Sequence, residues 1–436
     1  MSGWRLWWWA VALALGLFGG SGSAAAGAIG VREQNARSQG AAFAGVAAGS
    51  GGLGSIVWNP ASIALFPGLQ SESDISLART RARLSPDWHT LMAADLAGGS
   101  PWSSGEMGQG RYVAATYGSY QINEALWIGA ALNTPYGFSS KPRQDWAGQS
   151  YARSSRLTSA AFTPTVGYRV NDWLTLGAGV TAQYLDLTFK QAVNGAPGAP
   201  SAILQGDDLG VGFSLGATVQ PRPGTMVGIG FRSAVHHEIS GQWAGTPGIP
   251  VPITAGITLP ETLSLGISQM LNPRWTILAT GEWTNWSRME RSAVISRATG
   301  LPVSSLAFGY RDGTFLSLGA EYLRHEGVTM RAGVGFETSP VTNEARSPRL
   351  IDSDKLWASI GASYQATDKL GLDIGYSRQF MRQAPVRITG AYEDFNGSTF
   401  IADGKSSVDV ISFAWRYRWD AAARPVFVDR YTPATY

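Results

Sequence analysis

The chain has 436 residues, no cysteine and a formal net charge of +3. A secreted chain of this size without cysteine is not a disulfide scaffold, and so small a net charge gives no reason to expect nucleic acid or a strongly acidic partner. Glycine (54 residues) and tryptophan (17 residues) are both abundant. Glycine scattered along strands favours close packing in a barrel lumen, and tryptophan near strand ends is typical of the aromatic belts of membrane proteins.

Residues 1–26 have the organisation of a secretory signal peptide. Arg5 lies in a short positive region, residues 7–18 are apolar, and Ala25 and Ala26 suit cleavage by signal peptidase. The alternative is a membrane anchor, but a spanning helix needs about 20 apolar residues and this run has roughly half of them. We therefore predict that the mature chain is exported and begins near Gly27.

Most of the mature chain alternates apolar residues with small or polar ones, which is the period of a β-strand with two different faces. Ile411, Phe413 and Trp415 form one such apolar face near the C-terminal end. Because the pattern recurs along the chain, a bilayer is the simplest partner for these faces. Fourteen segments are predicted as strands: 72–84, 110–121, 125–136, 156–170, 173–190, 207–220, 225–243, 256–270, 274–290, 313–324, 328–337, 355–365, 369–381 and 407–419. Residues 88–97 are assigned to a loop or an overhang of the first strand, because bacterial barrels have an even number of strands.

The links between these segments alternate strictly between short turns and long loops. Asn171-Asp172 and Asn272-Pro273 are examples of the short turns. This alternation is typical of an outer-membrane barrel with periplasmic turns and extracellular loops. The predicted fold is all-β: a 14-stranded antiparallel transmembrane β-barrel over residues 71–420, followed by a periplasmic tail at 421–436.

Residues 27–70 precede the barrel, do not alternate and are too few to fold alone. We predict that they form a plug, or hatch, inside the lumen. Asn59-Pro60-Ala61 is expected to make a turn, because proline fixes φ and asparagine bonds to nearby backbone. Two interpretations of the neighbouring Trp58 stay open. It is either a packed residue of the plug, or it lines an apolar pocket together with Phe43.

Two predicted extracellular loops are unusually apolar. Leu204 lies in the first, within residues 196–204, and Val251 and Ile253 lie in the second, within residues 249–257. Apolar loops that face water indicate a greasy ligand, although packing of the two loops on each other is the alternative. We expect aspartate at Leu204 and Ile253 to leave the barrel folded.

Three residue patterns match catalytic, nucleotide-binding or metal-binding motifs only in part, and none indicates such a site. Residues 212–216 read G-F-S-L-G but lie within a predicted strand, whereas a nucleophile elbow needs a strand-to-helix turn. Residues 49–54 match the letters of a dinucleotide fingerprint without its βαβ unit. His236 and His237 point to opposite faces of a strand, and there is no cysteine to complete a zinc site. The expectation is neither an enzyme nor a protein with a cofactor or metal.

Several short motifs, taken in order, resemble the FadL-type outer-membrane transporters of long-chain fatty acids and other hydrophobic compounds. They are Glu33-Gln34-Asn35-Ala36, Trp58-Asn59-Pro60-Ala61, Asn133-Thr134-Pro135-Tyr136-Gly137, the run from Thr163 to Asn171, Trp283-Thr284-Asn285-Trp286 and Thr338-Ser339-Pro340. The resemblance extends from Gly27 to Trp419. It implies a fourteen-strand barrel with an N-terminal hatch in the outer membrane of a Gram-negative bacterium.

The resemblance also implies a route for the ligand. The ligand lands between the third and fourth extracellular loops, enters a pocket above the hatch and leaves sideways into the membrane at a kink in the third strand. Pro135 or Gly129 would be the kink. Arg169 matches an arginine that meets the ligand's carboxylate, with an interfacial arginine at a strand end as the alternative.

The predicted function is passive, gated transport of hydrophobic small molecules, with long-chain fatty acids as the expected ligand and outer-membrane lipid as a further partner. The alternative is a general or hydrocarbon-selective porin with an open, water-filled channel. A neutral hydrocarbon or aromatic ligand also stays open, because the family's basic pocket residue has no clear counterpart here. The protein is expected to be a monomer.

Overall fold

The computed structural model describes residues 28–96, 102–245 and 249–420. The predicted signal peptide and C-terminal tail lie outside these residues. The described helices are α1 (Ala36–Gln39), α2 (Trp88–Leu96) and the 3-10 helices Val46–Ala48, Gly52–Val57, Pro60–Leu65 and Trp286–Arg288. Among the described residues, no helix is long and apolar enough to cross a membrane.

In the part of the chain that the structure describes, twenty strands make up one antiparallel sheet. They are β1 (Leu69–Pro86), β2 (Gly110–Gln121), β3 (Leu126–Asn133), β4 (Gly137–Ser140), β5 (Ser154–Arg169), β6 (Leu174–Ala192), β7 (Ser201–Arg222), β8 (Thr225–Arg232), β9 (Val235–Ala244), β10 (Val251–Leu259), β11 (Thr262–Asn272), β12 (Trp275–Thr284), β13 (Ser292–Ser296), β14 (Pro302–Leu306), β15 (Gly313–His325), β16 (Val328–Glu337), β17 (Lys355–Gln365), β18 (Leu370–Met381), β19 (Ala384–Ile388) and β20 (Phe400–Arg418). The segment 88–97, predicted as a loop, contains α2.

The sheet closes into a barrel because β20 pairs with β18 on one side and with β1 on the other. Some wall strands are interrupted, so that β3 and β4 both pair with β5, and β8 and β9 both pair with β7. In the same way β10 and β11 are two parts of one wall strand, as are β18 and β19. β13 pairs with β14 and with Ile253 and Thr254 of β10 at the extracellular end, and this hairpin does not add a strand to the closed wall. The wall therefore has fourteen strands, which confirms the predicted fold.

The predicted alternation of faces is also confirmed. On β18, Leu372 and Ile374 are each 42% exposed, whereas Asp373 between them is 4% exposed. On β15, Leu318 is exposed and the adjacent Ser317 is buried. The exposed apolar residues form the outer, lipid-facing surface, and the buried polar residues face the lumen. Short turns such as the one between β5 and β6 mark the periplasmic end of the barrel, and the long loops mark the extracellular end.

The extracellular halves of several strands extend beyond the predicted boundaries. β6 and β7 remain paired as far as Ala192 and Ser201, and β10 begins at Val251. The apolar segment 249–257 is therefore mostly strand, and the segment 196–204 is strand from Ser201 onwards, so the prediction of loops was wrong for these parts. The extension has a physical reason: the inward side chains of these strands pack on an apolar cluster in the lumen, which holds the strands together above the membrane.

The described part of the hatch, residues 28–68, lies against the inner face of the wall. The Asn35 side chain donates to Glu72 on β1 at 2.6 Å, and the backbone amide of Ala36 donates to Asp74 on β1 at 2.7 Å. From β2, the hydroxyl of Tyr117 donates to a carbonyl of the hatch at 2.8 Å. Asn35 and Ala36 are fully buried. These bonds place the segment inside the barrel.

Glycines on the wall let the hatch backbone come close. A Cβ on Gly230 would lie 1.8 Å from the carbonyl oxygen of Trp58, and a Cβ on Gly228 would lie 1.9 Å from that of Ala47. Any larger residue at these two positions would push the hatch away. Further wall glycines whose Cβ would lie within 3 Å of hatch backbone are Gly177, Gly266, Gly319, Gly333, Gly361 and Gly375. Eight wall glycines therefore leave room for the hatch backbone.

Candidate ligand-binding and gating site

The predicted turn at Asn59 joins the hatch to the wall. Asn59 is fully buried, and its side-chain oxygen accepts from the amide of Ala61 at 3.0 Å. Its amide nitrogen donates to the carbonyls of Ala47 in the hatch, at 2.7 Å, and of Ala217 on β7, at 2.9 Å. Pro60 is the first residue of the following 3-10 helix, where its missing N–H leaves no bond unmade. The Asn59 side chain thus makes one hydrogen bond within the turn, one to the rest of the hatch and one to the barrel wall.

Phe43 and Trp58 pack together in the lumen. Their ring centroids are 5.8 Å apart, and Phe43 also meets Trp357 of β17 edge-on at 6.0 Å. Phe43 is fully buried, whereas Trp58 lines a small cavity in the lumen, which we call the inner cavity. Trp58 is therefore a packed residue of the hatch that also lines a cavity, whereas Phe43 does not line that cavity.

The inner cavity is polar and small, so the expectation of an apolar pocket at Trp58 was wrong. Its volume is about 60 Å³, well below the ~300–1,000 Å³ of typical ligand pockets. Arg32 of the hatch crosses it and binds Glu282 of β12 at 2.6 Å. The Arg32 guanidinium also lies 3.9 Å from the ring centroid of Phe315. An ion pair between hatch and wall therefore occupies the space that a ligand would need.

A larger cavity, the outer cavity, lies at the extracellular end of the lumen. Its volume is about 340 Å³, which falls within the usual range for ligand pockets. Phe138, Phe189, Leu204 and Trp243 line it from the wall. The extracellular loops contribute polar side chains, such as Arg291, Ser305 and Asp394, and a group of aromatic and aliphatic ones: Leu306, Phe308, Tyr310, Leu350, Tyr392 and Phe395. The apolar part of this lining can bind apolar ligands by excluding water.

Arg349 introduces one positive charge into the outer cavity. Its guanidinium lies 5.3 Å from the ring centroid of Phe189, and it donates to Ser155 at 3.2 Å, to the carbonyl of Lys190 at 3.3 Å and to Gln191. All three acceptors are neutral, and within the described part of the chain no carboxylate forms an ion pair with Arg349. Burial lowers the pKa of Arg349 to about 10. A cation held in this way favours an incoming anion.

Asp394 also lines the outer cavity but has a partner of its own. It binds Arg291 at 3.3 Å, and it accepts a hydrogen bond from Ser305. Its charge is therefore partly neutralised at the cavity wall. Among the described residues that line this cavity, Arg349 is the cation without an ion pair, and Glu393 is an exposed carboxylate that also has none.

The barrel wall is interrupted between β2 and β4. β2 pairs with β3 only from Thr116 to Gln121, and residues 110–115 pair only with β1. β3 ends at Asn133, and β4 pairs with β5 and, on its other side, forms a single isolated bridge from Ser140 to Gly108. Pro135 lies in the break, where it cannot donate a ladder bond. Above the break, the Arg111 side chain donates to the carbonyl of Ser139 at 2.8 Å. The result is a gap in the ladder.

The start of the hatch pairs with the broken strand. Residues 29–31, which we call the strap, form an isolated antiparallel bridge between Gly30 and Tyr136. The amide of Val31 donates to the carbonyl of Pro135 at 2.9 Å, and the amide of Gly137 donates to Ile29 at 2.7 Å. The strap therefore bonds to the backbone groups that the break leaves without a wall partner. Its position makes it the element that must move if the gap is to be used.

Gly129, the other candidate for the kink, lies in regular strand. It pairs with Ser119 of β2 and Thr165 of β5. A Cβ on Gly129 would lie 2.6 Å from the side chain of Ile63, so the glycine makes room for the hatch. The break in the third wall strand is therefore at Pro135 and not at Gly129.

Arg169 is separated from both cavities. It is an exposed residue at the periplasmic end of β5, with its guanidinium 4.8 Å from the ring centroid of Trp127. It donates weakly, at 3.4 Å, to the carbonyl of Ala64 in the hatch. The position is that of an arginine at a strand end. Sequence reasoning missed Arg349 because it lies in a long loop without periodicity, where only the folded chain shows what it faces.

Leu204, Val251 and Ile253 are brought together, but not in loops that face water. Leu204 on β7 and Val251 on β10 are both register partners of Trp243 on β9. Ile253 is fully buried and Leu204 is 4% exposed. Only Leu204 of the three lines the outer cavity. The segments pack on each other through Trp243, which was the alternative interpretation. This burial leads us to expect that aspartate at Leu204 or Ile253 destabilises the barrel.

Comparison with known proteins gives consistent matches over nearly the whole chain. Residues 17–419 match the family described as outer membrane protein transport protein (OMPP1/FadL/TodX). The chain is 24% identical over 408 residues to outer membrane protein P1 of Haemophilus influenzae, covering 84% of this chain and 88% of that protein. It is 24% identical over 430 residues to the long-chain fatty acid transport protein of Escherichia coli K12, covering 86% of this chain and 91% of that protein.

Two solved structures share the fold. A FadL homologue of Pseudomonas aeruginosa superposes with a TM-score of 0.79 at 24% identity, covering 91% of this chain and all of that one (100%). The toluene transporter TbuX of Ralstonia pickettii superposes with a TM-score of 0.62 at 18% identity, covering 88% of this chain and 99% of that one. Both matches support the fourteen-strand barrel.

We predict that Ile253→Asp destabilises the barrel. The new carboxylate would be buried in an apolar cluster without a partner, which we expect to lower the free energy of unfolding by about 3 kcal/mol. The measurement is the urea midpoint of the folded protein in detergent micelles. Gln205→Asp is the matched control, because Gln205 is exposed on the outer face of β7, two residues from the natural Asp207. Equal midpoints for the two variants would mean that residue 253 faces water.

Proposed function

We propose a cargo and a route for this chain, which belongs to the outer membrane protein transport protein family (OMPP1/FadL/TodX). It is a β-barrel protein of the Gram-negative outer membrane and a transporter, not an enzyme. The proposed cargo is hydrophobic small molecules, with long-chain fatty acids first. The proposed transport is passive and gated, and a single chain suffices because it supplies both the wall and the hatch.

The observation that carries this proposal is the outer cavity with Arg349 in its lining. The aromatic and aliphatic lining would take an acyl chain, whose burial contributes about 0.8 kcal/mol per methylene. Arg349 would meet a carboxylate, the head group of a fatty acid, with the charge-assisted bonds that arginine makes well. The name of the Escherichia coli relative, long-chain fatty acid transport protein, supports the same choice. Toluene-like hydrocarbons are the second candidate, supported by the name of TbuX.

We propose that the cargo leaves through the gap between β2 and β4. The cargo would pass from the outer cavity towards the strap, displace it from Tyr136 and enter the membrane sideways. The strap bonds the broken edge through few backbone groups, whereas the rest of the hatch is seated on the wall glycines. Movement of the strap alone would therefore open the gap and leave the lumen closed. Partition of the cargo into lipid would drive the process without an energy source.

An open porin, the alternative expected from the sequence, has less support. The hatch occupies the lumen with fully buried residues such as Asn35, Phe43 and Asn59. A general porin needs a continuous water-filled channel. No observation on the described residues favours one.

We predict that Arg349→Gln selectively weakens the binding of fatty acids. A hydrogen bond to a charged group contributes about 1.5–3 kcal/mol, so the affinity for palmitate should fall at least about tenfold. Hexadecanol, which has the same chain without the charge, should bind as before. Isothermal titration of the purified protein in detergent measures both.

Arg169→Gln is the control for this experiment, because it removes an arginine at the periplasmic end. It should leave palmitate binding unchanged. The proposal for Arg349 fails if the Arg349 variant loses palmitate and hexadecanol equally, or if the Arg169 variant loses palmitate to the same extent.

We predict that a disulfide between strap and broken strand stops transport. Gly30 and Tyr136 face each other in an antiparallel bridge, where Cα atoms lie about 4.5–5.5 Å apart, within the range that a disulfide spans. The chain has no other cysteine. Cells carrying Gly30→Cys/Tyr136→Cys should take up labelled oleate only after addition of a reductant, whereas each single variant should be insensitive to it. Full uptake by the oxidised double variant would place the exit elsewhere.

A further inference from the structure

The outer face of the barrel carries a group of cations at its extracellular end, on β1, β18 and β20. We call it the basic patch, and its members are Arg79, Arg81, Arg83, Arg378 and Lys405. On β1 the outward positions change from Leu77 to Arg79 within two residues, a rise of about 7 Å. The basic patch therefore begins where the apolar, lipid-facing surface ends.

The carboxylate within the basic patch is already in use. Asp409 binds Arg81 at 2.9 Å and Arg378 at 3.0 Å, and it accepts from the hydroxyl of Tyr376 at 2.8 Å. Asp403 lies further along β20, opposite Ser85. Arg81 and Arg378 thus share Asp409 as their counter-ion. The other three cations of the patch have a different environment.

Arg79, Arg83 and Lys405 form no ion pair with any described carboxylate. Arg83 and Lys405 are moreover direct register partners on β1 and β20. Like charges directly opposite each other destabilise a sheet unless an anion lies between them. The five cations of the patch therefore outnumber the three described carboxylates beside them, Glu106, Asp403 and Asp409.

This excess of positive charge is not a general property of the extracellular rim. On the outer face of β5 and β6, Arg156 binds Asp186 at 2.9 Å, and Asp207 lies on the adjacent β7. Cations and anions there are balanced. The basic patch is confined to one side of the barrel.

An open groove of about 710 Å³ runs along the wall at the basic patch. Arg79 and Arg81 line its upper part. The side chains of Leu77, Tyr112, Tyr376 and Ile411 give it an apolar surface. Glu106 also lines it, with its carboxylate accepting from the amides of Ala82 at 2.7 Å and Gly108 at 3.0 Å. The groove thus combines an apolar surface with cations at the height of the lipid head groups.

We propose that the basic patch binds lipid A, the phosphorylated glycolipid of the extracellular leaflet. Its phosphates would lie between Arg79, Arg83 and Lys405, where arginine offers paired donors to phosphate oxygens. One acyl chain would follow the groove below. Basic clusters next to a membrane attract anionic head groups in the same way. This site is on the outside of the barrel and does not depend on the proposed cargo or exit.

The test is lipid binding by the folded mature protein in detergent, followed by native mass spectrometry. The wild type should bind bis-phosphorylated lipid A at least tenfold more tightly than lipid A from which both phosphates have been removed. Inorganic phosphate should not displace the lipid, because it lacks the acyl chain. Equal binding of the two lipids, or complete displacement by inorganic phosphate, would overturn the proposal. This comparison needs no variant.

A charge-matched pair of variants locates the site. Arg79→Gln/Arg83→Gln/Lys405→Gln should reduce the affinity for bis-phosphorylated lipid A at least tenfold. Arg222→Gln/Arg274→Gln/Arg324→Gln removes the same charge at the periplasmic end and should have no effect. Heat-modifiable migration in gel electrophoresis shows whether each variant is folded. If the triple variant does not fold, the single variant Arg83→Gln takes its place. An equal loss of affinity in both triple variants would show that only the net charge of the protein matters, and would contradict a binding site at the basic patch.

Discussion

The close approach of the hatch backbone to the wall is the constraint on which the rest of the structure depends. Gly228 and Gly230 have no side chain, so the carbonyl oxygens of Ala47 and Trp58 occupy the space where a Cβ would lie. The lumen is consequently filled by backbone as well as by side chains. Because the hatch backbone lies so close to the wall, no wall side chain fits between them at these positions, and Phe43 and Trp58 of the hatch pack in the lumen.

Polar bonds then fix the hatch at a few points. Asn35 is bound to Glu72, Asn59 to the carbonyl of Ala217, and Arg32 to Glu282. The strap at residues 29–31 differs, because it is held mainly by backbone bonds to the broken third wall strand. Buried polar groups that lose a partner are costly, so the anchored part of the hatch resists movement more than the strap does. This difference is the physical basis of the proposed gate.

The fold could be predicted from the sequence because its signals are local. The period-two alternation around Leu372, Asp373 and Ile374 gives both the strand and its faces, and the turn at Asn171-Asp172 gives the periplasmic end. Alternation could not show which surface an apolar residue meets. At Leu204 and Ile253 the apolar side chains face an apolar lumen rather than water, so the sequence predicts loops where the structure has strands.

The candidate site could be predicted only in part. Asn59-Pro60 carries a turn signal, and the structure has a turn there. Pro135 lacks an N–H and therefore interrupts the hydrogen bonds of a strand wherever it lies. The role of Gly129 depends instead on Ile63, which is distant in sequence and packs against it. Arg349 could not be found from the sequence, because its environment is set by strands more than a hundred residues away. Residues whose role follows from their own chemistry are predictable, and residues whose role follows from distant partners are not.

The most direct test of the seated hatch is single-channel recording of the mature protein in planar bilayers. The wild type should show no steady ionic current. Gly230→Ala places a Cβ on the carbonyl of Trp58 and should produce a measurable leak, whereas Gly281→Ala, whose Cβ would meet only Leu316 at 3.7 Å, should not. A large steady current through the wild type, or identical closed behaviour of both variants, would contradict the account.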